Sequence, residues 1–318
     1  MKEDLHKAKK LLICGNVVAI PTETVYGLAA NAFDADAIAK IFEIKGRPLY
    51  NPLIVHIKSI EYLDIVAENI PEIAYELARK FWPGPLTLVL PKKEIIPNIV
   101  TSGKNTVGVR VPAHEVTLEL LNQLDFPLAA PSANPFGYIS PTTVAHVKNQ
   151  LGTKVELILD GGSCKKGIES TIIGFENGKP ILYRVGAISQ EEIENIIGKI
   201  EVKNKASASP DAPGMLSKHY SPKTKFIISD DIKKSIYNYK NAKVGFLLFS
   251  NLDSNDFPTH YIRLSKNENL NEAAHNLYAA MHQLDSENLE FIIAERFPSV
   301  GIGVTLNDRL QRAQETNF

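Results

Sequence analysis

Apolar residues cluster in short runs over the first two hundred positions, and amphipathic stretches separate these runs. Runs of four or five apolar residues predict buried strands, whereas apolar spacings of three and four residues predict helices. The predicted strands are 17–20, 53–57, 86–90, 107–111, 155–159, 171–175 and 181–184. The predicted helices are 35–44, 59–67, 71–81, 114–124 and 142–151, and another begins at Ser189, with Glu192 completing a capping box. This alternation is typical of an α/β domain in which helices flank a twisted, partly parallel sheet.

The pattern changes near residue 202. Residues 203–224 contain three prolines and little apolar periodicity, which predicts an extended linker. Beyond it, a helical stripe runs from Leu270 to Leu284. Further strands are predicted at 226–228, 244–249, 261–264 and 291–294. We therefore predict a first domain at residues 1–202 and a smaller, Rossmann-like α/β domain at residues 225–318.

Length, charge and cysteine content restrict the function. The chain has 318 residues, more than one hydrophobic core usually covers. Its formal net charge of -1 argues against stable nucleic-acid binding as the main role. Cys14 and Cys164 have no zinc-ligand spacing, so we expect no structural metal, no disulfide and a reducing cytoplasm. No apolar run approaches the ~20 residues that span a membrane, and the helical stripe ending at Gly15 does not resemble a signal peptide.

The most unusual local sequence places Lys45 and Arg47 two residues apart, between a predicted helix and a predicted strand. Gly46 and Pro48 restrict the backbone there, so the two cations are held in place. A fixed lysine and arginine facing one concavity suit a polyphosphate. The alternative is a solvated turn that carries two surface cations.

Small polar residues follow two other predicted strands. Residues 21–27, PTETVYG, come directly after the strand 17–20, at the end where α/β proteins form ligand sites. Residues 131–134, PSAN, follow a short apolar run and allow a ligand to approach the backbone closely. The alternatives are that Thr22 or Thr24 only caps a turn, and that Ser140 or Thr142 only caps a helix.

Two arginines close apolar strands. Arg110 ends the run 107–111, and Arg184 ends the run 181–184. A buried arginine is costly unless a carboxylate or an anionic ligand pairs with it. Each arginine alone fits a plain ion pair, but together with Lys45 and Arg47 they favour an anion site.

Several common enzyme motifs are missing from the sequence. It contains no GxxxxGKS or GxxxxGKT phosphate loop, no GxGxxG after a strand and no GxSxG elbow. A nucleotide would therefore be held by scattered Lys, Arg, Ser and Asn side chains.

Taken together, these segments resemble the YrdC-like family of threonylcarbamoyl-AMP synthases. The matching motifs appear in the family's order: PTETVYGL (21–28), KGRPLYNPLIVH (45–56), FWPGPLTLVL (81–90), VGVRVPAH (107–114), APSANPFGYISPT (130–142), ESTII (169–173) and YRVGAI (183–188). The segments APGMLSKHYSP (212–222) and GIGVTLNDRLQRA (301–313) resemble the long form, which has an additional C-terminal domain.

The resemblance implies a nucleotidyltransferase that forms L-threonylcarbamoyladenylate and pyrophosphate from L-threonine, bicarbonate and ATP. A downstream transferase then modifies an adenosine of tRNA. ATP is a substrate, and Mg²⁺ is expected with few or no protein ligands.

The resemblance also implies roles for individual residues. Threonine would contact Thr24, His56, Arg110 and Ser170, with Arg110 on its carboxylate. ATP or the adenylate would contact Lys45, Arg47, Asn51, Thr106, Ser132, Asn134, Ser140, Arg184 and His219, and Lys45 and Arg47 are the catalytic candidates. His219 would fold over the nucleotide from the linker. The sequence departs from some relatives at Ala130, where they carry a hydroxyl residue, and in the less basic segment 215–218.

Two other interpretations are open at this point. A basic concavity on an α/β sheet also suits an RNA-binding module without catalysis, although the chain lacks the interleaved aromatic residues of a single-strand platform. A carbamoyl-transfer relative acting on another acceptor, as in hydrogenase maturation, would carry zinc-finger and acylphosphatase modules that this sequence lacks. His56 has its own alternative, a satisfied core histidine.

Overall fold

A computed structural model of the chain describes residues 2–203, 219–252, 258 and 260–314. The first part of the chain alternates strands and helices, as its apolar pattern predicts. Its elements are α1 (Lys2–Ile13), β1 (Val18–Ile20), β2 (Gly27–Asn31), α2 (Ala35–Lys45), β3 (Ile54–His56), α3 (Leu63–Val66), α4 (Glu72–Phe81), β4 (Leu86–Pro91), α5 (Asn98–Thr101), β5 (Thr106–Arg110), α6 (Glu115–Asn122), β6 (Leu128–Ala129), α7 (Val144–Leu151), β7 (Thr171–Glu176), β8 (Lys179–Arg184), α8 (Gln190–Ile197) and β9 (Glu201–Val202).

These strands form one mixed sheet in the order β1-β2-β6-β3-β5-β4-β7-β8-β9. The pairs β3–β5, β4–β7 and β8–β9 are parallel, and the other neighbours are antiparallel. The prediction of an α/β domain with a partly parallel sheet is therefore confirmed. Because β3 and β5 run in parallel, with His56 opposite Arg110, their carboxyl ends meet at one edge of the sheet.

Local sequence explains how α2 delivers its last residues to that edge. Asp34 caps the helix by accepting hydrogen bonds from the amides of Asp36 and Ala37. Gly46 ends it in the left-handed conformation, with φ 62°, which a residue with a Cβ rarely adopts. The chain therefore turns sharply between Lys45 and Arg47.

The predicted strand 155–159 is wrong. Only an isolated parallel bridge between Ala19 and Ile158 forms there. The strand that it bridges, β1, is only three residues long, and Pro21 follows it without an amide hydrogen to extend the ladder. The predicted helix 59–67 is likewise shorter, with a 3-10 turn at Ile60–Tyr62 before α3.

The second part of the chain forms a separate parallel sheet. Its elements are β10 (Lys225–Ser229), α9 (Ile232–Asn238), β11 (Val244–Leu248), β12 (Tyr261–Arg263), α10 (Leu270–Asp285), β13 (Phe291–Glu295) and α11 (Ile302–Gln314). The strand order is β10-β13-β11-β12, and every pair is parallel. The predicted smaller α/β unit is therefore present.

One hydrophobic cluster contains residues from both parts of the chain. Val25, Ile139 and Ile168 pack in the same cluster as Leu277 and Leu306 of α10 and α11. Between the two units, residues 204–218 of the predicted linker 203–224 lie outside the described residues. Among the helices that are described, none is long and apolar enough to cross a membrane.

Candidate active site

A cleft opens where β3, β5 and β8 end, beside the connections that follow β1 and β6. It brings together polar side chains from distant parts of the sequence. Its polar lining consists of Thr22, Thr24, Arg47, His56, Arg110, Ser132, Glu169, Ser170, Arg184, His219 and Tyr220. Eight of the sequence-predicted site residues are therefore neighbours in space: Thr24, Arg47, His56, Arg110, Ser132, Ser170, Arg184 and His219.

Arg110 lies in the cleft with a charge partner. Its Nη2 is 2.6 Å from Glu23 Oε1 and donates to Thr24 Oγ1 at 3.0 Å. Its Nε donates to the carbonyl oxygen of Gly84 at 3.1 Å. The second carboxylate oxygen of Glu23 accepts from the Ala113 amide at 3.0 Å. Arg110 thus forms a buried ion pair, and Glu23 holds it in a fixed orientation.

Two roles were considered for this segment, capping a turn and lining a ligand site, and Thr22 and Thr24 differ in them. Thr22 Oγ1 donates to the Val25 carbonyl at 2.6 Å and accepts from the Thr24 amide at 3.1 Å, so Thr22 does cap the turn. Thr24 instead directs its hydroxyl to Arg110 and lines the cleft.

His56 is a neutral imidazole at the floor of the cleft. Burial, and secondarily the charge of Arg110, lowers its pKa to about 3. Its Nδ1 lies 3.2 Å from the carbonyl oxygen of Ile54, which is an acceptor. A neutral imidazole has one nitrogen that donates and one that accepts.

Lys45 and Arg47 are buried rather than solvated, with 3% and 7% of their surfaces exposed, so the solvated-turn interpretation is wrong. Lys45 Nζ donates to the Ser132 carbonyl at 2.7 Å and to the Asn134 carbonyl. Arg47 donates to the carbonyls of Asn51 at 2.9 Å and Pro52 at 2.8 Å. Within the described part of the chain, no carboxylate lies within 4 Å of either cation.

Electrostatics agree with an anion site. Burial, and then the charge of Arg47, holds the pKa of Lys45 well below its usual range. Burial, and then the charge of Arg184, lowers the pKa of Arg47 to about 9. Burial is the first cause of both shifts, and the described residues alone do not balance these charges. A phosphate group placed among them would.

Arg184 lies across the cleft on the backbone of Ser170. Its Nε and Nη2 donate to the Ser170 carbonyl at 3.1 and 2.7 Å, and Nη2 also donates to Ser170 Oγ at 3.0 Å. The Ser170 hydroxyl is 2.8 Å from Thr87 Oγ1. Burial is the main cause that lowers the pKa of Arg184.

Several other predicted residues lie behind the lining. Asn51 and Asn134 have buried polar atoms that make no hydrogen bond to a described residue: Oδ1 and Nδ2 of Asn51, and Oδ1 of Asn134. The same is true of two atoms in the lining itself, His219 Nδ1 and Tyr220 Oη. Ser140 donates to Glu169 Oε1 at 2.7 Å. The helix-cap interpretation of Ser140 or Thr142 is wrong, because Thr143 caps α7. Thr106 lies at the opposite end of β5 from Arg110 and does not line the cleft.

Sequence reasoning missed three residues of the site. Glu23 pairs with Arg110, Glu169 lines the cleft and accepts from Ser140, and Tyr220 lies in the cleft wall. The signals available were that Glu23 lies in the polar segment 21–27, that Glu169 precedes Ser170 and that Tyr220 follows His219. Among the residues that the structure describes, no group of three or more His, Cys, Asp or Glu is placed to hold a metal ion.

An α/β sheet that carries buried cations beside an ion-paired arginine and small hydroxyls is suited to a polyphosphate next to a small polar molecule. Residues 10–186 match the sequence model of the Sua5/YciO/YrdC family, described as telomere recombination. Residues 188–314 match the model of the threonylcarbamoyl-AMP synthase C-terminal domain. The chain belongs to this family, as the motifs predicted.

Individual relatives support the same assignment. Threonylcarbamoyl-AMP synthase of Pyrococcus abyssi is 42% identical, and the match covers 94% of this chain and 90% of that protein. The Bacillus subtilis protein of the same name is 40% identical, over 96% and 92% of the two chains. The crystal structure of P. abyssi Sua5 complexed with L-threonine has a TM-score of 0.91 and 40% identity, and covers 98% of this chain and 94% of that chain.

Proposed function

We propose that this chain forms L-threonylcarbamoyladenylate and pyrophosphate from L-threonine, bicarbonate and ATP, for threonylcarbamoyl modification of adenosine in tRNA. It is an enzyme of the nucleotidyltransferase type, the activity that its relatives' name states. The observation that carries the proposal is one cleft with two chemically distinct sides. Lys45 and Arg47 supply unbalanced buried cations on one side, and Arg110 with Thr24 supplies a charge-balanced polar pocket on the other.

Threonine is assigned to the balanced side. Arg110 would bind its carboxylate, and Thr24, His56 and Ser170 would surround the rest of the molecule. Because Glu23 already neutralises Arg110, the threonine carboxylate would be recognised by directed hydrogen bonds more than by net charge. The neutral His56 ring adds an acceptor without adding a further cation.

ATP is assigned to the cationic side. The proposed contacts are Lys45, Arg47, Asn51, Thr106, Ser132, Asn134, Ser140, Arg184 and His219. The side-chain amide of Asn51 and Oδ1 of Asn134, which make no hydrogen bond to a described residue, support this assignment, because buried polar atoms normally have a partner. Thr106 is included from the family resemblance, and it lies at the far end of β5, outside the lining of the cleft.

Lys45 and Arg47 are the proposed catalytic residues, and they act electrostatically. Threonine and bicarbonate supply a carbamate with loss of water. An oxygen of that carbamate attacks the α-phosphorus of ATP, and the bond between the α-phosphorus and the bridging oxygen breaks to release pyrophosphate. Such a displacement needs alignment and charge neutralisation more than a protein nucleophile. Two cations held against backbone carbonyls supply both.

Magnesium enters the proposal only as the ion that ATP carries. The two carboxylates of the cleft, Glu23 and Glu169, are each within ion-pair distance of an arginine, which leaves them poor candidates for metal ligands. We therefore derive no step through a protein-bound metal.

The remaining assignments follow from the family. We propose residues 1–202 as the catalytic domain, residues 203–224 as a linker that closes over the cleft, and residues 225–318 as the smaller domain. The product would pass in the cytoplasm to a tRNA threonylcarbamoyl transferase. Stable RNA binding is not part of the proposal, because Lys45 and Arg47 are buried in the cleft rather than displayed on a surface.

The direct test incubates the protein with ATP and labelled bicarbonate, with and without L-threonine. The proposal predicts a labelled adenylate and pyrophosphate only when threonine is present, and much less product with serine. Strong salt-dependent RNA binding without ATP turnover would instead support the non-catalytic RNA module.

A further inference from the structure

Arg309 of α11 is buried where the second unit of the chain meets the cleft. Its side chain has 0% exposed surface. Nε donates to Glu169 Oε2 at 2.9 Å, and Nη2 donates to the Val185 carbonyl at 2.9 Å. Nη1 pairs with the neighbouring Asp308. A fully buried arginine with three directed contacts is fixed in place, and two of these contacts reach the first unit of the chain.

Glu169 is the cleft residue that Arg309 holds. Its Oε1 accepts from Ser140 Oγ at 2.7 Å, and its Oε2 also accepts from the Tyr278 hydroxyl of α10 at 2.9 Å. Burial by itself would raise the pKa of Glu169, but the charges of Arg309 and Arg184 outweigh it and the pKa is lowered. Glu169 therefore stays ionised and lies within electrostatic reach of two arginines, one structural and one in the proposed nucleotide site.

Tyr220 is the second cleft residue that Arg309 contacts. The guanidinium carbon of Arg309 lies 4.9 Å from the centre of the Tyr220 ring. That ring also stacks on Tyr278 at 5.7 Å and meets His219 edge-on at 4.0 Å. The backbone of Tyr220 has φ 65°, a conformation that a bulky residue keeps only when its surroundings enforce it.

We propose that Arg309 is a positioning residue for ATP. It holds Glu169 through a buried ion pair and contacts the ring of Tyr220, so that the second unit of the chain completes the nucleotide side of the cleft. If Arg309 loses its charge, Glu169 is left with Arg184 as its nearest cation and neutralises a group that ATP needs. This inference rests on the proposed function for its kinetic test, although nucleotide binding can be measured without turnover.

The test compares four variants of the full-length chain: Arg309→Met, Arg309→Lys, Glu169→Gln and the double variant Arg309→Met with Glu169→Gln. Arg296→Ala is the matched control, because Arg296 forms an exposed ion pair with Asp230 in the same unit. For each protein, the dissociation constant of ATP, the KM values of ATP and threonine, and the melting temperature are measured.

Loss of a charge-assisted contact that acts on ATP should raise the ATP dissociation constant and KM of Arg309→Met about 10- to 100-fold. The threonine KM should change less than the ATP KM, because Arg110 and Thr24, unlike Ser170, make no hydrogen bond to Arg184. Adding Glu169→Gln should recover most of the ATP affinity, because no carboxylate then competes for Arg184. Arg309→Lys should be intermediate, and Arg296→Ala should match the wild type.

Two results would overturn the inference. One is a folded Arg309→Met protein whose ATP affinity is unchanged. The other is a double variant that binds ATP no better than Arg309→Met, since the competing carboxylate would then be irrelevant. If Arg309→Met does not fold, the double variant and Arg309→Lys still decide the question. Failure of the wild type to form the adenylate would instead reject the proposed function, and ATP binding by the variants would still test Arg309.

Discussion

Replacement of Arg47 by alanine is the sharpest test of the cationic side of the cleft. Two of its nitrogens bind the carbonyls of Asn51 and Pro52, and Nη1 makes no hydrogen bond to a described residue. Nη1 and the second N–H of Nη2 are therefore the groups that we expect to bind a phosphate oxygen. A hydrogen bond between charged groups contributes about 1.5–3 kcal/mol, so its loss should lower kcat/KM about 10- to 150-fold. If the interaction strengthens as pyrophosphate leaves, the loss appears mainly in kcat.

The same substitution should leave the protein folded. The two carbonyls lose a donor, at about 1–3 kcal/mol for each one left unsatisfied. Removal of a cation that is repelled by Lys45 and Arg184 offsets part of that loss. We expect the melting temperature to fall by about 2–8 °C.

The assay is threonine-dependent incorporation of labelled bicarbonate into the adenylate, run beside thermal unfolding. Arg79→Ala is the control, because the Arg79 side chain is 59% exposed and forms an ion pair with Glu72 on the surface. This variant should leave activity and stability unchanged. An Arg47→Ala protein that turns over within about twofold of the wild type would refute the assignment.

Three further predictions follow from charges in and near the cleft. Arg110→Lys loses the guanidinium fork that faces Thr24 and Glu23, so the threonine KM should rise about tenfold or more while the ATP KM changes little. Steady-state kinetics with each substrate varied in turn measure the two KM values, and an equal rise in both KM values would contradict the assignment. Burial lowers the pKa of Lys45, and a bound phosphate would favour its charged form, so ATP should bind with uptake of a proton. The affinity of the protein for ATP should therefore fall as pH rises. Binding heats that are the same in buffers of different ionisation enthalpy would contradict this. Burial lowers the pKa of His146 to about 4, below its unfolded value of about 6.5, so the unfolded chain binds more protons in that window. The contribution of His146 to the free energy of unfolding should therefore decrease as pH drops from about 6.5, which gives stability a positive slope against pH. Denaturant titrations at about pH 7 and about pH 5 measure that slope, and His146→Gln should reduce it; an unchanged slope in this variant would count against the buried, neutral histidine.

Much of the fold could be predicted because most strands are short apolar runs between turn residues. β2 was missed because its residues are small and buried on both faces, so it shows no alternation. α11 was missed for a different reason. Arg309 and Arg312 occupy buried positions on that helix, where apolar residues would have revealed the helical stripe.

The candidate site was predictable where a single segment fixes the chemistry. Gly46 and Pro48 adjoin Lys45 and Arg47 in sequence, and the structure buries both cations together. Pairings between distant segments were not predictable. Nothing in the sequence indicates that Glu23 meets Arg110 or that Arg309 meets Glu169, 140 residues away, because these contacts exist only after both sheets have formed.

A crystal structure of the chain with a non-hydrolysable ATP analogue and L-threonine tests the central claim most directly. The account predicts phosphate oxygens bonded to Lys45, Arg47 and Arg184, and the threonine carboxylate bonded to Arg110 in the same cleft. A nucleotide bound elsewhere, or a cleft in which these cations contact neither ligand, would contradict it.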